Sequence, residues 1–252
     1  MQERRMSLED SKTRWARIAG KADMLSDNTT PHMSSVYDAQ IRATIPYYDA
    51  IHEETIGLAG TVRPRPRCWL DTGCGTGTLA SRACRLFPDT LFILADPSPE
   101  MLEEARKKFA VCGETQVRIL APVATQDICW EEEERPEVIT AIQAHHYLDR
   151  EGRRAATRKC YDLLADGGLY VTFENIRPFT AEGLAVTMKR WETFQHGAGK
   201  EPEAVAKHLR RFDVEYFPIN VEEHRALLRE CGFGTVEMLW FSYMQAGFFA
   251  IK

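Results

Sequence analysis

No Cys-x-x-Cys pair occurs among the seven cysteines of this 252-residue chain, and their number is odd. Both facts argue against a disulfide framework and against a zinc site, and they favour a reducing, cytoplasmic setting with no metal. No apolar run approaches the about 20 residues that a membrane span needs. The opening Met1-Gln2-Glu3-Arg4-Arg5 leads into further charge rather than into the apolar stretch of an export signal. Neither membrane nor secretion is therefore expected. A global basic field is lacking as well, because 32 Lys and Arg stand against 37 Asp and Glu for a net charge of −5. Nucleic acid is accordingly disfavoured as a partner, and the local basic runs at 153–159 and 207–211 read as solvated helix faces. There is no internal repeat and no low-complexity tract. The hydrophobic content of 44% supports the core of one large α/β domain.

What the chain does have is a run of alternating glycines. Cys68-Trp69-Leu70-Asp71-Thr72-Gly73-Cys74-Gly75-Thr76-Gly77-Thr78-Leu79 puts Gly73, Gly75 and Gly77 after an apolar run and before a helical pattern. Glycines there let the main chain turn sharply at the end of a buried strand and keep Cβ atoms out of a ligand's path. Nineteen residues past Gly77, a second apolar run ends at Asp96, the place for an acid that accepts hydrogen bonds from ribose hydroxyls. The spacing is D-x-G-x-G-x-G, not the G-x-G-x-x-G of pyrophosphate loops. Asp71 ahead of the glycines would repel a pyrophosphate and suits a cationic ligand.

Strand and helix signals alternate around this loop, as expected for a mostly parallel sheet with helices on both faces. Strands are expected at 67–70, 91–95, 116–120, 138–144 and 169–173, with helices at 79–86, 99–109 and 150–164. From 178 to 219 the rhythm stops at a helical stretch containing Met188, Trp191 and Phe194, which reads as an insert. A helix at 221–231 and strands at 235–243 and 247–251 follow, and their short connection predicts a hairpin with an antiparallel edge strand. The polar segment of residues 1 to about 30 reads as mobile or as a cover for the site. Residues 1–58 are expected to form a helical N-terminal lid ahead of a domain over 59–252.

The glycine loop resembles motif I of the class I S-adenosylmethionine-dependent methyltransferases, and Ala95-Asp96-Pro97-Ser98-Pro99-Glu100-Met101-Leu102 resembles their second motif. The resemblance implies a Rossmann-like, seven-stranded α/β fold and S-adenosylmethionine as cofactor, with S-adenosylhomocysteine as product. Asp71, Gly73, Cys74, Gly75 and Gly77 would then line the methionine tail and Asp96 the ribose. Pro97 and Met101 would form the adenine slot, unless Met101 only packs a helix face. Where many relatives place an acid for the adenine amine, this chain reads Leu120-Ala121-Pro122-Val123, and Gln126 or Asp127 would replace it. After the fourth strand, His145 or His146 is a candidate general base, with Glu174 as an orienting acceptor or a carboxylate held by local N–H groups.

The pattern from Ile41-Arg42 to Tyr47-Tyr48, with the C-terminal Ala246 to Lys252 run, is similar to the carboxy-S-adenosylmethionine synthase branch of tRNA wobble-uridine modification. That similarity implies a contact from Arg42 to the cofactor carboxylate, with Tyr48 beside it, and a homodimer formed partly through the insert. Tyr147, Arg210, Arg211 and Tyr216 are the candidate acceptor residues. Methyl transfer to a small-molecule acceptor is the expected activity. Carboxy-S-adenosylmethionine synthesis, tRNA modification and non-enzymatic cofactor binding stand as alternatives.

Overall fold

The computed structural model describes residues 27–110 and 116–252. The covering role expected of the leading segment falls, through residue 26, outside the described residues. Seven strands form one sheet in the order β3-β2-β1-β4-β5-β7-β6. They are β1 (Cys68–Thr72), β2 (Leu91–Ala95), β3 (Val117–Ile119), β4 (Val138–Ile142), β5 (Leu169–Asn175), β6 (Thr235–Ser242) and β7 (Gln245–Ile251). Five strands pair in parallel and β7 runs antiparallel between β5 and β6. The hairpin lies at one edge of the sheet, with β7 the reversed strand and β6 the rim.

Eight α-helices surround the sheet among the described residues. They are α1 (Tyr37–Gln40), α2 (Tyr48–Val62), α3 (Thr78–Ala83), α4 (Pro99–Phe109), α5 (Arg150–Leu163), α6 (Ala181–Gly197), α7 (Pro202–Leu209) and α8 (Val221–Glu230). Local chemistry sets several starts. Side chains of Ser98, Asp149 and Thr180 accept the N–H groups of Met101, Gly152 and Gly183, and Asn220 with Glu223 forms a reciprocal capping box. β1 and β5 are buried along their whole length and β4 up to but not including Ile142, as strands covered on both faces must be. One apolar cluster joins α2 and α3 to the sheet through Ile51, Ala59, Trp69, Leu79 and Phe173. The other joins α5 and α8 through Cys160, Leu164, Leu228 and Phe248.

Element ends differ from the sequence pattern where tertiary contacts intervene. β4 stops at Ile142 rather than 144, because Gln143 turns into the left-handed region at φ 55°. β5 continues to Asn175 because β7 pairs along it as far as Gln245, so Glu174 lies inside a strand and not after it. The break drawn at residue 58 falls within α2, whose Ile51, Ile56 and Ala59 are core residues. Between β5 and α8, helices α6 and α7 are joined to the N-terminal part: Trp191, fully buried, donates from Nε1 to Thr44 O at 2.7 Å.

Candidate active site

A cavity of about 570 Å³ opens at the carboxyl ends of β1, β2 and β4, where open α/β sheets bind ligands. Its floor is the glycine loop, and each glycine is required differently. A Cβ on Gly75, at φ 54°, would meet nothing within 4 Å and would stand in the open cavity. On Gly73, at φ 64°, a Cβ would come within 2.4 Å of Ala144 Cβ, so this glycine lets the β1 and β4 loops touch. Gly77 does not line the cavity. It leads into α3 and packs under Phe109, whose ring would be 2.7 Å from its Cβ.

Asp96 lies at the cavity's β2 side, 8% exposed. Its Oδ2 accepts the N–H of Gly75 at 2.9 Å and its Oδ1 that of Ser98 at 2.9 Å. Burial pushes the carboxyl up to about 6, and these two bonds oppose the rise. Asp71 is buried beneath the loop and accepts the Thr140 hydroxyl at 2.7 Å. Burial raises it to about 7, with the charge of Asp96 adding to the effect. Cys74, Pro97, Met101 and Gln126 line the cavity, and Gln126 Oε1 is buried without a partner. Asp127 is exposed and outside the lining.

The two histidines after β4 separate. His145 lines the cavity, with Nε2 on Thr125 Oγ1 at 3.2 Å and Nδ1 on the Tyr170 hydroxyl at 3.3 Å. Burial pushes it down to about 4, against the pull of Glu174. His146 lies behind the lining, with Nδ1 on Glu174 Oε2 at 2.8 Å and Nε2 on Asn175 Nδ2 at 3.3 Å. Glu174 also accepts the N–H groups of His145 and His146 at 3.2 and 2.9 Å and the Thr172 hydroxyl at 2.7 Å. Burial alone would raise Glu174, but its hydrogen bond from His146 and the charge of the nearby imidazoles hold it well below the usual carboxylate range. Burial lowers His146, and its bond to Glu174 opposes that fall. Neither His146 nor Glu174 reaches the cavity. Each of their side-chain nitrogens and oxygens has a hydrogen-bond partner, and Glu174 is a carboxylate held by local N–H groups.

The remaining expected residues divide in the same way. Tyr48 and Tyr147 line the cavity, whereas Tyr216 is buried behind them against the rings of His146 and Tyr147. Arg42 is outside the lining and 44% exposed, with Nε and Nη2 on the Asp49 carboxylate at 2.8 and 2.9 Å and Nη1 on Asp38 O at 2.7 Å. Arg210 is exposed. Arg211 is 6% exposed and donates from Nε to Glu215 Oε2 at 2.6 Å and from Nη2 to Thr29 O, while Nη1 is buried without a partner. The structure adds His52, Thr125, Gln143 and Glu215 to the lining, and residues 27–30, the end of the segment read as mobile or as a cover, line it as well. None sits in a recognisable motif. Thr125 is brought in by its bond to Thr72 across the sheet top at 2.7 Å.

Residues 70–170 match the methyltransferase domain family. A carboxy-S-adenosyl-L-methionine synthase of Campylobacter curvus is 24% identical over 212 residues, covering 83% of this chain and 88% of that protein. An O-methyltransferase family protein from Burkholderia thailandensis superposes with a TM-score of 0.56 at 16% identity, covering 97% of this chain and 68% of that one. Magnesium protoporphyrin IX methyltransferase from Synechocystis, solved with bound S-adenosylmethionine, gives 0.56 at 14% identity, covering 96% and 91%. The methyltransferase domain over residues 70–170, with relatives of this kind along most of the chain, supports an S-adenosylmethionine-dependent methyltransferase with S-adenosylmethionine as cofactor. Within that class its sequence is similar to the carboxy-S-adenosylmethionine synthases along most of its length. The site fits the cofactor on its own terms: an open cradle at Gly75, a buried carboxylate with lone pairs to spare at Asp96, and an orphaned amide oxygen at Gln126. Among the described residues no helix is long and apolar enough to cross a membrane.

Proposed function

We propose that this enzyme methylates a small-molecule acceptor held between Tyr147, Leu148 and the roof formed by Glu215 and residues 27–30. One observation carries the reading. A single space of about 570 Å³ runs from Asp96 past Gly75 to Tyr147, in the range of about 300–1,000 Å³ typical of small-molecule sites. When bound, S-adenosylmethionine supplies a methyl group activated on a sulfonium. Asp96 uses two acceptor positions on backbone N–H groups and keeps the others for ribose hydroxyls. Pro97 and Met101 flank the adenine and Gln126 Oε1 accepts from its amine. Main chain at Gly73 and Gly75 carries the tail, with Asp71 supplying negative charge beneath it.

Rate enhancement in this reading comes from alignment of acceptor and methyl and from exclusion of water by the roof. Both histidines support the β4 loop, and an acceptor that carries a proton loses it to water or to buffer at the cavity mouth. Arg42 serves the cofactor carboxylate only by exchanging out of its pair with Asp49. A cytoplasmic homodimer through α6 and α7 belongs to the same reading.

A second reading, carboxy-S-adenosylmethionine synthesis, is favoured by the relatives' name and by Arg211, whose unpartnered Nη1 beside Tyr147 would suit a carboxylate. Glu215 already neutralises that arginine, which favours methyl transfer. Mass spectrometry of the ligand released from purified protein separates the two. Unmodified S-adenosylmethionine or S-adenosylhomocysteine is expected, and a ligand carrying an added carboxylate would overturn the first reading.

A further inference from the structure

Gln143 closes β4 in a conformation that side chains rarely adopt. Its φ of 55° lies in the left-handed region, where residues with a Cβ are strained and where such strain gathers at ligand sites. Its N–H is fixed on Phe173 O at 2.6 Å, which ends the ladder and turns the chain into the 3₁₀ segment His145–Tyr147. The residue lines the cavity, yet Oε1 and Nε2 are both buried without a partner. An amide left unsatisfied at both ends inside a fold is unfavourable, and a ligand that pairs with both ends relieves it. The histidines next to it offer no rival. The nitrogens of His145 are on Thr125 and Tyr170, and those of His146 on Glu174 and Asn175.

Position indicates which ligand Gln143 meets. Across the sheet, Asp96 follows β2, the glycine loop follows β1 and Gln143 follows β4, in the strand order β2-β1-β4. Ala144 abuts Gly73, so Gln143 stands beyond the glycine loop from Asp96, on the side of Tyr147 and Leu148. We propose that Gln143 determines acceptor specificity, and that the acceptor is a small planar molecule with an O–H or N–H donor directly beside a hydrogen-bond acceptor. A primary amide presents one acceptor and two donors in a plane, and only a group of that pattern takes both ends at once. The inference rests on the methyl-transfer reading and names its substrate class.

Two isomeric probes test it on the full chain loaded with S-adenosylhomocysteine. 2-Pyridone sets its N–H beside its carbonyl, whereas 4-pyridone holds the same groups apart. The side-chain amide signal of Gln143, assigned by its loss in Gln143→Met, is followed by ¹⁵N NMR together with calorimetric affinities. S-adenosylhomocysteine alone should leave that signal in place, and 2-pyridone should shift it and bind about tenfold tighter than its isomer. Gln143→Met should abolish the preference while keeping the cofactor affinity, with Gln143→Glu as the isosteric second variant should the first not fold. A signal that moves with S-adenosylhomocysteine alone would show that Gln143 reads the cofactor, and the proposal fails while methyl transfer stands. Equal affinity for the isomers, or no 2-pyridone binding, overturns the acceptor class. Failure of S-adenosylhomocysteine itself to bind would instead overturn the methyltransferase reading beneath it.

Discussion

Asp96 and Glu174 are both buried carboxylates near the carboxyl end of the sheet, and each accepts two backbone N–H groups. Their surroundings set them apart. Asp96 has those two donors and an open face on the cavity, so burial dominates and the carboxyl rises to about 6. Glu174 adds an imidazole and a hydroxyl and lies outside the cavity, and the His146 bond with the charge of the nearby imidazoles outweighs burial and lowers it. A carboxylate with capacity left over is equipped to bind a ligand. One that is saturated is equipped to hold a loop.

Replacing Glu174 with Ala should produce the largest effect, because it leaves two buried N–H groups and the His146 imidazole without their acceptor. A loss of about 3–5 kcal/mol in stability is expected from denaturant unfolding. Retention of wild-type stability would show that Glu174 is not the saturated member of the pair. Asp96→Ala should do the converse. S-adenosylmethionine affinity should fall by about 1–3 kcal/mol in calorimetry, while ligand-free stability holds or rises, since a buried and partly unsatisfied acid has been removed.

Titration sharpens the same contrast. Asp96 and Asp71 are raised from 3.8 to about 6 and about 7 by burial, so the folded, ligand-free state holds their protons more tightly than the unfolded chain. Their contribution to stability therefore diminishes as pH rises from about 4 to about 7. Glu174 is shifted downward from 4.5, so its contribution is present above that pH and is lost as pH falls below it. Affinity for S-adenosylmethionine should strengthen as pH rises through about 6, where Asp96 ionises and can accept from the ribose. A flat affinity between pH 5 and 8 would remove Asp96 from the ribose contact. The smallest effect is expected at Arg42→Ala. Its exposed pair with Asp49 should cost about 0–1 kcal/mol in stability, and cofactor affinity should change appreciably only if Arg42 leaves Asp49 for the cofactor.

Local pattern made the cofactor end legible. The D-x-G-x-G-x-G loop and the acid closing the next apolar run are short-range signals, since a sharp turn needs glycine and a strand end needs only its own few residues. The α/β alternation and the final hairpin were readable for the same reason. The bonding of His145, His146 and Glu174 was not, because proximity to the strand ends says nothing of which nitrogens are already bonded. That was decided by β7 extending β5 to Asn175 and drawing Glu174 inside the sheet, and by Thr125 arriving from across the sheet top. Gln143 makes the point most sharply: in the sequence it is one polar residue before two histidines, and only the end of β4 and the packing around it give it a left-handed backbone and an unpaired amide. Sequence fixes what is determined by neighbours along the chain, whereas hydrogen-bond saturation is a property of neighbours in space, and only the folded molecule sets it.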